Sequence, residues 1–509
     1  VPKVMSELKR GQIVDSKYIS SLANVTKRHG YNPIIGDIQL KQQEWLSWFR
    51  GSVNEFHTFT QKINGITESF ERQTMNMPKK LCEDMATLLW NEKCHIIIED
   101  EPTSTLVNQI LEDNNFDENM AAIIETSFGM GMGYIVEYLD NGETKLDFIN
   151  FENALPLAWN NRRVTALATF SQQAIEKKYY THIQYHEIKN GKYTVTHEAY
   201  ISGDSQNVGK RTSLDYVLGK GTGLDYSFTF DSATPGFQVI KPNIQNQHNI
   251  NSPYGVSVYS TMISYFKIAD TLFDMFQSEA EDNRTRIIVD SQLLETKMVD
   301  NEETGEVQFV NYFNRKDTCL MALPIRRKNG DDGQKAIEYF QGDFRMDMLE
   351  IGLNKILQTI GFRAGLGKNF YLFNEQGQYQ NEKNVIHSSA ETYKTKKKHE
   401  KILGRAIKDM IRSILVLEKT VGRYNGDPNE IVIKVEFDDS IVQDDEAIAL
   451  NWTNLADKGY IPPYYAVAKT LKIPLEEAIK MYEEEIARKK AIIQAYEPVE
   501  GMENDAETT

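Results

Sequence analysis

Cysteine is scarce in this chain. Only Cys82, Cys94 and Cys319 occur among 509 residues, and they form no CxxC pair or other zinc-ligand spacing. That excludes a disulfide framework and a cysteine-based metal centre, and it reads as a set of reduced intracellular thiols. Long apolar runs are missing too: no stretch approaches the roughly 18 consecutive apolar residues that span a bilayer, so no membrane partner is expected. Val1–Ser20 contains no apolar segment of the kind a secretory signal carries, and a first residue of Val rather than Met points to a start that is processed or lies elsewhere. Positive charge is in deficit, with 57 Lys and Arg against 73 Asp and Glu and a net charge of −16. Proteins that grip nucleic acid over a whole face neutralise phosphates and release counterions. A chain with this balance is no general DNA binder, and any contact with DNA must be local and basic. No GxxxxGK[ST] occurs, which excludes a P-loop motor. There is no repeat of fixed period and no low-complexity linker.

What is present reads as a large α+β protein with core enough for roughly two to four domains. The strongest periodic signal is Tyr259, Met262, Ile263, Phe266, Ala269, Leu272, Phe273 and Phe276, spaced for one face of a helix over Pro253–Asn283. Ser252 is the expected N-cap and Pro253 a first-turn residue. Short β-like runs follow at Arg286–Val289, Val307–Val310, Leu320–Leu323 and Ala336–Phe340, and Asp300–Gly305 is the expected hairpin connection between the first two. Helical spacing returns through Phe344, Met348, Leu349, Ile351, Ile356, Leu357 and Ile360, with Asp343 as cap and Gly361 as stop. The two helices are expected to pair as a stalk carrying the β module at its tip.

Three patterns bear on chemistry. Gly129-x-Gly-x-Gly133 lies between an expected helix and an expected strand, the reverse of the order a phosphate loop needs, so no nucleotide site is expected. His182, His186 and His197, with Glu187 and Glu198, fall on alternating strand-like segments and read as solvated strand faces before a metal cluster. Asp438, Asp439, Asp444, Asp445 and Glu446 suit a solvated turn and helix N-terminus; the alternative is a divalent-ion site of a metal-dependent nuclease. No Ser/His/Asp or Cys/His arrangement stands out. The chain reads as a non-enzyme with no cofactor and no metal.

A basic cluster stands apart from the acidic background. Arg363 and Lys368 lie in a glycine-punctuated loop, and Lys394, Lys396, Lys397, Lys398 and Lys401 occupy the early turns of a long helix over Asn384–Leu417. This is either a solvated helix face or a local phosphate-facing patch.

The sequence resembles the tailed-bacteriophage portal proteins of the SPP1 type. The resemblance rests on Met77-Pro-Lys-Lys-Leu-Cys-Glu-Asp followed by Leu88-Leu-Trp-Asn-Glu-Lys93, on Asn251-Ser-Pro-Tyr-Gly255, on Thr392-Tyr-Lys-Thr395 leading to His399-Glu400, and on Phe437-Asp-Asp-Ser440-Ile441. These motifs lie in order around the helix–β module–helix block, within residues 40–485. The resemblance implies a homo-oligomeric ring of about twelve subunits at one capsid vertex, a head-tail connector through which double-stranded DNA is packaged and ejected. It implies a wing at 1–252, stem helices at 253–283 and 343–362, a clip at 284–342, a tunnel-loop region at 363–389, a long helix and return strand of the wing at 390–443, a crown at 444–496, and a disordered acidic tail at 497–509. Arg363, Lys368 and the lysines of 394–401 become candidates to face DNA in the channel. Arg315, Lys316, Arg326, Arg327 and Lys328 become candidates for docking the packaging motor. Tyr259, Met262, Phe266, Phe273, Phe276, Ile351 and Ile356 become stem-packing residues. The implied partners are the terminase large subunit, a head-completion or adaptor protein, and the scaffolding and major capsid proteins. The implied location is the virion, with host cytoplasm during assembly. Another head or tail adaptor ring is the remaining structural alternative.

Overall fold

Two tryptophans, Trp45 and Trp48, are buried in the main hydrophobic core of the larger unit. The computed structural model describes residues 16–33, 37–63, 66–218, 223–224, 226–232, 234–282, 345–372, 382–438, 452–471 and 473–496, with five short strands between 286 and 340. It divides into two compact units, Val1–Phe437 and Asp438–Thr509.

In the first unit, α1 (Ser16–Thr26) precedes α2 (Asp37–Phe49), which delivers Trp45 and Trp48 to the interior with no more than 2% of their surface exposed. A hairpin of β1 (Thr58–Ile63) and β2 (Ile66–Glu71) leads to α3 (Met77–Leu89). Pro78 lies in the first turn of α3, and Leu81, Cys82, Met85, Ala86 and Leu89 form its buried stripe, as their spacing requires. After β3 (His95–Ile98), Asp100 caps α4 (Glu101–Asp113) by accepting the Thr103 N–H at 3.0 Å. Helix α5 (Phe116–Met130) ends at Gly131, whose φ of +87° suits a left-handed C-cap.

The glycine run thus lies between a helix and β4 (Gly133–Asp140), in the order expected for no phosphate loop. Its reason is packing. A Cβ on Gly255 would stand 2.0 Å from the Gly131 carbonyl oxygen, so two backbones pass where only glycine fits.

Strand β4 pairs with β5 (Glu143–Asn150), and a 3-10 turn at Phe151–Asn153 breaks what reads in sequence as one strand from β6 (Ala154–Asn160). Strands β7 (Arg163–Ile175), β8 (Lys178–Lys189), β9 (Lys192–Ser202), β10 (Lys210–Thr212) and β11 (Tyr226–Phe230) complete a six-stranded antiparallel sheet with β6. Strand β12 (Phe237–Ile240) returns to the far side of β4.

Helix α1 covers one face of the six-stranded sheet, packing Tyr18, Leu22 and Val25 against Phe170, Ile183, Tyr185 and Tyr200. The expectation that the histidines of this sheet face solvent is wrong. His182 and His186 are 1% and 2% exposed, and Glu187 and Glu198 are buried beside them. Alternation shows only that side chains point both ways; here both faces are covered. Tyr226 and Phe228 of β11 lie edge-on to His197, and Phe237 meets His186. The imidazoles are held by one another and by hydroxyls: His182 Nε2 lies 3.1 Å from His197 Nδ1, and His186 Nδ1 lies 2.7 Å from the Tyr193 hydroxyl. Burial pulls their pKa values down, to about 4 for His197 and, with His197 adding to the effect, to about 3 for His186.

Helix α6 (Ile263–Asp282) starts ten residues after the expected N-terminus. Ser252 is no helix cap; its hydroxyl accepts the Tyr254 N–H within a tight turn. Residues Val256, Val258, Tyr259 and Met262 are buried by an irregular segment, where Val258 N–H reaches the Phe128 carbonyl oxygen at 2.9 Å. Five strands follow: β13 (Arg286–Asp290), β14 (Thr296–Asp300), β15 (Val307–Asn311), β16 (Leu320–Leu323) and β17 (Ile337–Phe340). The expected hairpin is re-paired. Strand β15 joins β14, while β13 takes β16 in parallel and β17 antiparallel. Helix α7 (Met346–Ala364) returns alongside α6, and Gly365 at φ +75° closes it. The expected stop, Gly361, lies within the helix; a Cβ there would stand 2.5 Å from the Gly367 carbonyl oxygen. The expected cap Asp343 lies outside the described residues.

Helix α8 (Glu382–Val421) has 40 residues, roughly 60 Å. Ala406, Ile407, Met410, Ile411, Ile414 and Leu415 bury its apolar stripe as their spacing predicts, while Ile402 of the same stripe is half-buried. Strand β18 (Ile433–Glu436) then pairs antiparallel with β3. The second unit contains helical residues 452–457, a helix at Pro463–Leu471 that starts on the second of two prolines, and a helix at Leu475–Tyr496. Ala466, Ala468 and Ala478 are its buried contacts, with Tyr464 edge-on to Tyr482.

Candidate functional site

The α6–α7 pair is rooted in the core by polar bonds. Asp270 is 1% exposed. Its carboxylate accepts Thr74 Oγ1 at 3.0 Å and the Met75 N–H at 2.9 Å. His57 Nδ1 accepts the Val53 N–H at 2.9 Å, so Nε2 carries the proton and donates to Asp270 at 3.0 Å. One turn on, Asp274 accepts the Gln73 N–H at 3.0 Å. At the other end of the pair, Arg345 grips Glu279 in a fork, at 3.1 and 2.9 Å.

The seven proposed packing residues of this pair divide. Tyr259, Met262 and Phe266 are fully buried in the main core, and Tyr259 donates its hydroxyl to the Trp45 carbonyl oxygen at 2.9 Å. They fix the body of the subunit and have no surface left for a neighbour, and Tyr259 and Met262 precede α6 where the spacing placed them within the helix. Phe276 and Ile356 are partly buried against the same core. Phe273 and Ile351 are exposed, Ile351 at 71%, and Met348 and Phe362 join them at 73% and 63%. A helix pair with large apolar side chains in water is an unfinished surface.

The basic candidates divide in the same way. Arg363, in the last turn of α7, and Lys368 and Lys394 are exposed. The corner between them is fixed: Thr392 Oγ1 donates to the Leu366 carbonyl oxygen at 2.7 Å. Lys396 does not belong with them. Its side chain is 1% exposed and lies 3.4 Å from the Glu400 carboxylate, so it faces the interior. Lys397 is half-buried, 3.0 Å from Glu400 and over the Tyr393 ring. Lys398 and Lys401 are exposed. Arg315, Lys316, Arg326, Arg327 and Lys328 lie outside the described residues, as does the acidic run after Asp438.

Reading the lysine run alone misses how far the basic face extends. Lys394, Lys398, Lys401, Arg405, Lys408 and Arg412 recur at three- and four-residue spacing and share one face of α8; that spacing was the available signal. The face borders a cleft of about 530 Å³, whose rim adds Arg162, Arg163 and Lys241. Nothing in the sequence links these three to α8. Lys241 donates to the Pro253 and Arg162 carbonyl oxygens at 2.8 and 3.3 Å, and burial followed by the nearby Arg162 charge pulls its pKa down to about 8. Among the described residues no group of three or more His, Cys, Asp or Glu is placed to hold a metal ion, and no helix is long and apolar enough to cross a membrane.

The model of one protein family, described as phage portal protein, SPP1 Gp6-like, matches residues 58–491. The chain belongs to this family. As a phage portal protein it is one of a structural family, and the nuclease reading is not favoured. The two-helix pair, the β module and α8 all lie within the matched span. No curated protein matches the chain. Among solved structures, the chain is similar to one described as "Neck of native GTA particle computed with C12 symmetry", at 10% identity and a TM-score of 0.38, over 90% of this chain and 99% of that chain.

Proposed function

We propose that this portal protein works as a ring of about twelve copies at one capsid vertex, through which double-stranded DNA enters during packaging and leaves on ejection. In this reading the α6–α7 pair is the stem, the β13–β17 module is the clip, and the Pro463–Tyr496 helices belong to the crown. The observation that carries it is the exposure of Phe273, Met348, Ile351 and Phe362 on a helix pair whose roots are fully packed. Such side chains gain burial when a second surface covers them, and a ring of copies supplies one.

The channel works without catalysis. An acidic subunit repels phosphates and keeps DNA off the walls, and Arg363, Lys368 and Lys394 provide weak, sequence-independent backbone contacts. Energy for translocation comes from ATP hydrolysed by a separate terminase large subunit docked on the clip. A head-completion protein takes that position later, and scaffolding and major capsid proteins hold the outer rim. Assembly begins in the host cytoplasm and ends in the virion.

The test is electron microscopy of the purified protein with mass by light scattering. Closed rings of about twelve subunits with a central hole are expected. A persistent monomer, with scaffolding and capsid protein present, overturns the proposal.

A further inference from the structure

The basic face of α8 has few partners of its own. Among the described residues, Lys398, Lys401, Arg405 and Lys408 have no carboxylate within ion-pair distance, and Arg162 meets only Gln245. Among the described residues Asp409 is the sole acid lining the cleft, and it is engaged by Arg163 at 3.0 Å and Arg412 at 3.3 Å. Five cations converge on a cleft in a chain of net charge −16. The rest of the lining is mixed, with Val164, Phe237, Ile402 and Ala406 beside Asn161, Gln238 and Asn243.

The same subunit carries a surface of opposite sign. Between Lys93 and Lys145 the sequence has no Lys or Arg. The α4–α5 helical hairpin in this span exposes Glu99, Glu101, Glu112, Asp113, Asp117 and Glu118. This surface lies at the far end of α8: Asp100 is near enough to Tyr424 to influence its hydroxyl, and Thr144 bonds to Glu418 at 2.6 Å. Sixteen residues of α8 separate Arg405 from Val421, roughly 24 Å of axis. The two surfaces are therefore distinct patches on one subunit.

From this placement we infer that the basic cleft of one copy receives the acidic α4–α5 hairpin of a second copy. The inference rests on the ring reading above and names two faces of the contact. A ring with heterologous contacts needs two different complementary faces on every subunit. A duplex is the poorer occupant, because phosphates gain nothing from the apolar part of the lining. Opposite charges on the two faces also set orientation and suppress cation-to-cation encounters.

The experiment is a charge swap read by light scattering at low and high salt, with duplex DNA retention measured in parallel. Lys398→Glu with Arg405→Glu is expected to weaken self-association at least tenfold. Glu101→Lys with Glu112→Lys should do the same, and mixing the two variants should restore mixed assemblies. All four positions are exposed, and the neutral pair Lys398→Gln with Arg405→Gln gives a milder version in which an unchanged melting curve shows an intact fold. The inference is overturned if the reversed variants assemble as the wild type does, or if the basic variant loses only DNA retention, which makes DNA the occupant. A wild type that never assembles under any condition overturns the ring reading itself.

Discussion

The six-stranded sheet and the α6–α7 pair solve opposite problems. The sheet holds polar side chains inside: His182, His186, Glu187, Glu198, Thr169 and Thr181 are all buried. It partners most of them locally, with Tyr31 donating to Glu187, Tyr200 donating to Glu198 at 2.7 Å, and His29 3.1 Å from Glu198, while Ser171 Oγ, His182 Nδ1 and the Tyr185 hydroxyl have no hydrogen-bond partner among the described residues. The helix pair holds apolar side chains outside, and nothing among the described residues covers them. The difference shows that burial and completeness are separate matters. A polar interior closes on itself when each donor meets an acceptor, whereas an apolar surface closes only when another surface arrives.

The sharpest way to break this contrast is at the root of the helix pair. Asp270→Ala leaves the His57 and Met75 N–H groups and the Thr74 hydroxyl without their acceptor in a dry site. Stability should fall by about 3–5 kcal/mol, measured by denaturant unfolding of the isolated subunit. The opposite result is expected a few turns away. Ile351→Lys should leave subunit unfolding within about 0.5 kcal/mol while abolishing high-mass assemblies in light scattering. A matching loss of subunit stability would place Ile351 in the fold and not in a contact.

On strand β4, Glu137 is a buried acid whose two carboxylate oxygens have no hydrogen-bond partner among the described residues. It is 3% exposed, and burial holds its carboxyl well above the usual range. A raised carboxyl binds its proton more tightly when folded, so it contributes stability below the ordinary carboxylate range and loses it as pH rises. Glu137→Gln should therefore stabilise the protein at neutral pH by about 1–3 kcal/mol, seen as a higher melting temperature whose advantage shrinks in acid. The smallest effect is expected at the histidines. Their folded values lie below the ordinary 6.5, so stability is full above that pH and falls as pH drops toward about 4, the value for His197. His197→Gln should remove up to about 1 kcal/mol of that acid sensitivity, measured as the change in melting temperature between neutral and mildly acidic buffer.

How much of this was readable from sequence depended on what enforces each element. Strand β18 came from the family resemblance. Helices α7 and α8 follow from apolar period, although Met348 and Ile351 of the α7 stripe are exposed and it is its later turns, at Leu357 and Ile360, that meet the core. The start of α6 did not, because Val258, Tyr259 and Met262 are buried by a loop that happens to share helical spacing. The sheet histidines were misread because a cover on the second face, Tyr226, Phe228 and Phe237, comes from strands distant in sequence. Lys396 was misplaced by a related error: a run of lysines on a helix puts one of them on the inward face, where Glu400 receives it. The basic cleft joins residues 162, 241 and 405, and no local pattern announces a juxtaposition of that range.

The knot around Asp270 has a mechanical meaning. Its three donors come from the segments around His57 and Thr74, which flank the β1–β2 hairpin, and Asp274 adds a fourth bond one turn below. A tug on α6 is shared among several bonds to two segments of the body. The helix pair is thus tied into the body at more than one point, and it resists swinging at its root more than a helix held by a single contact would.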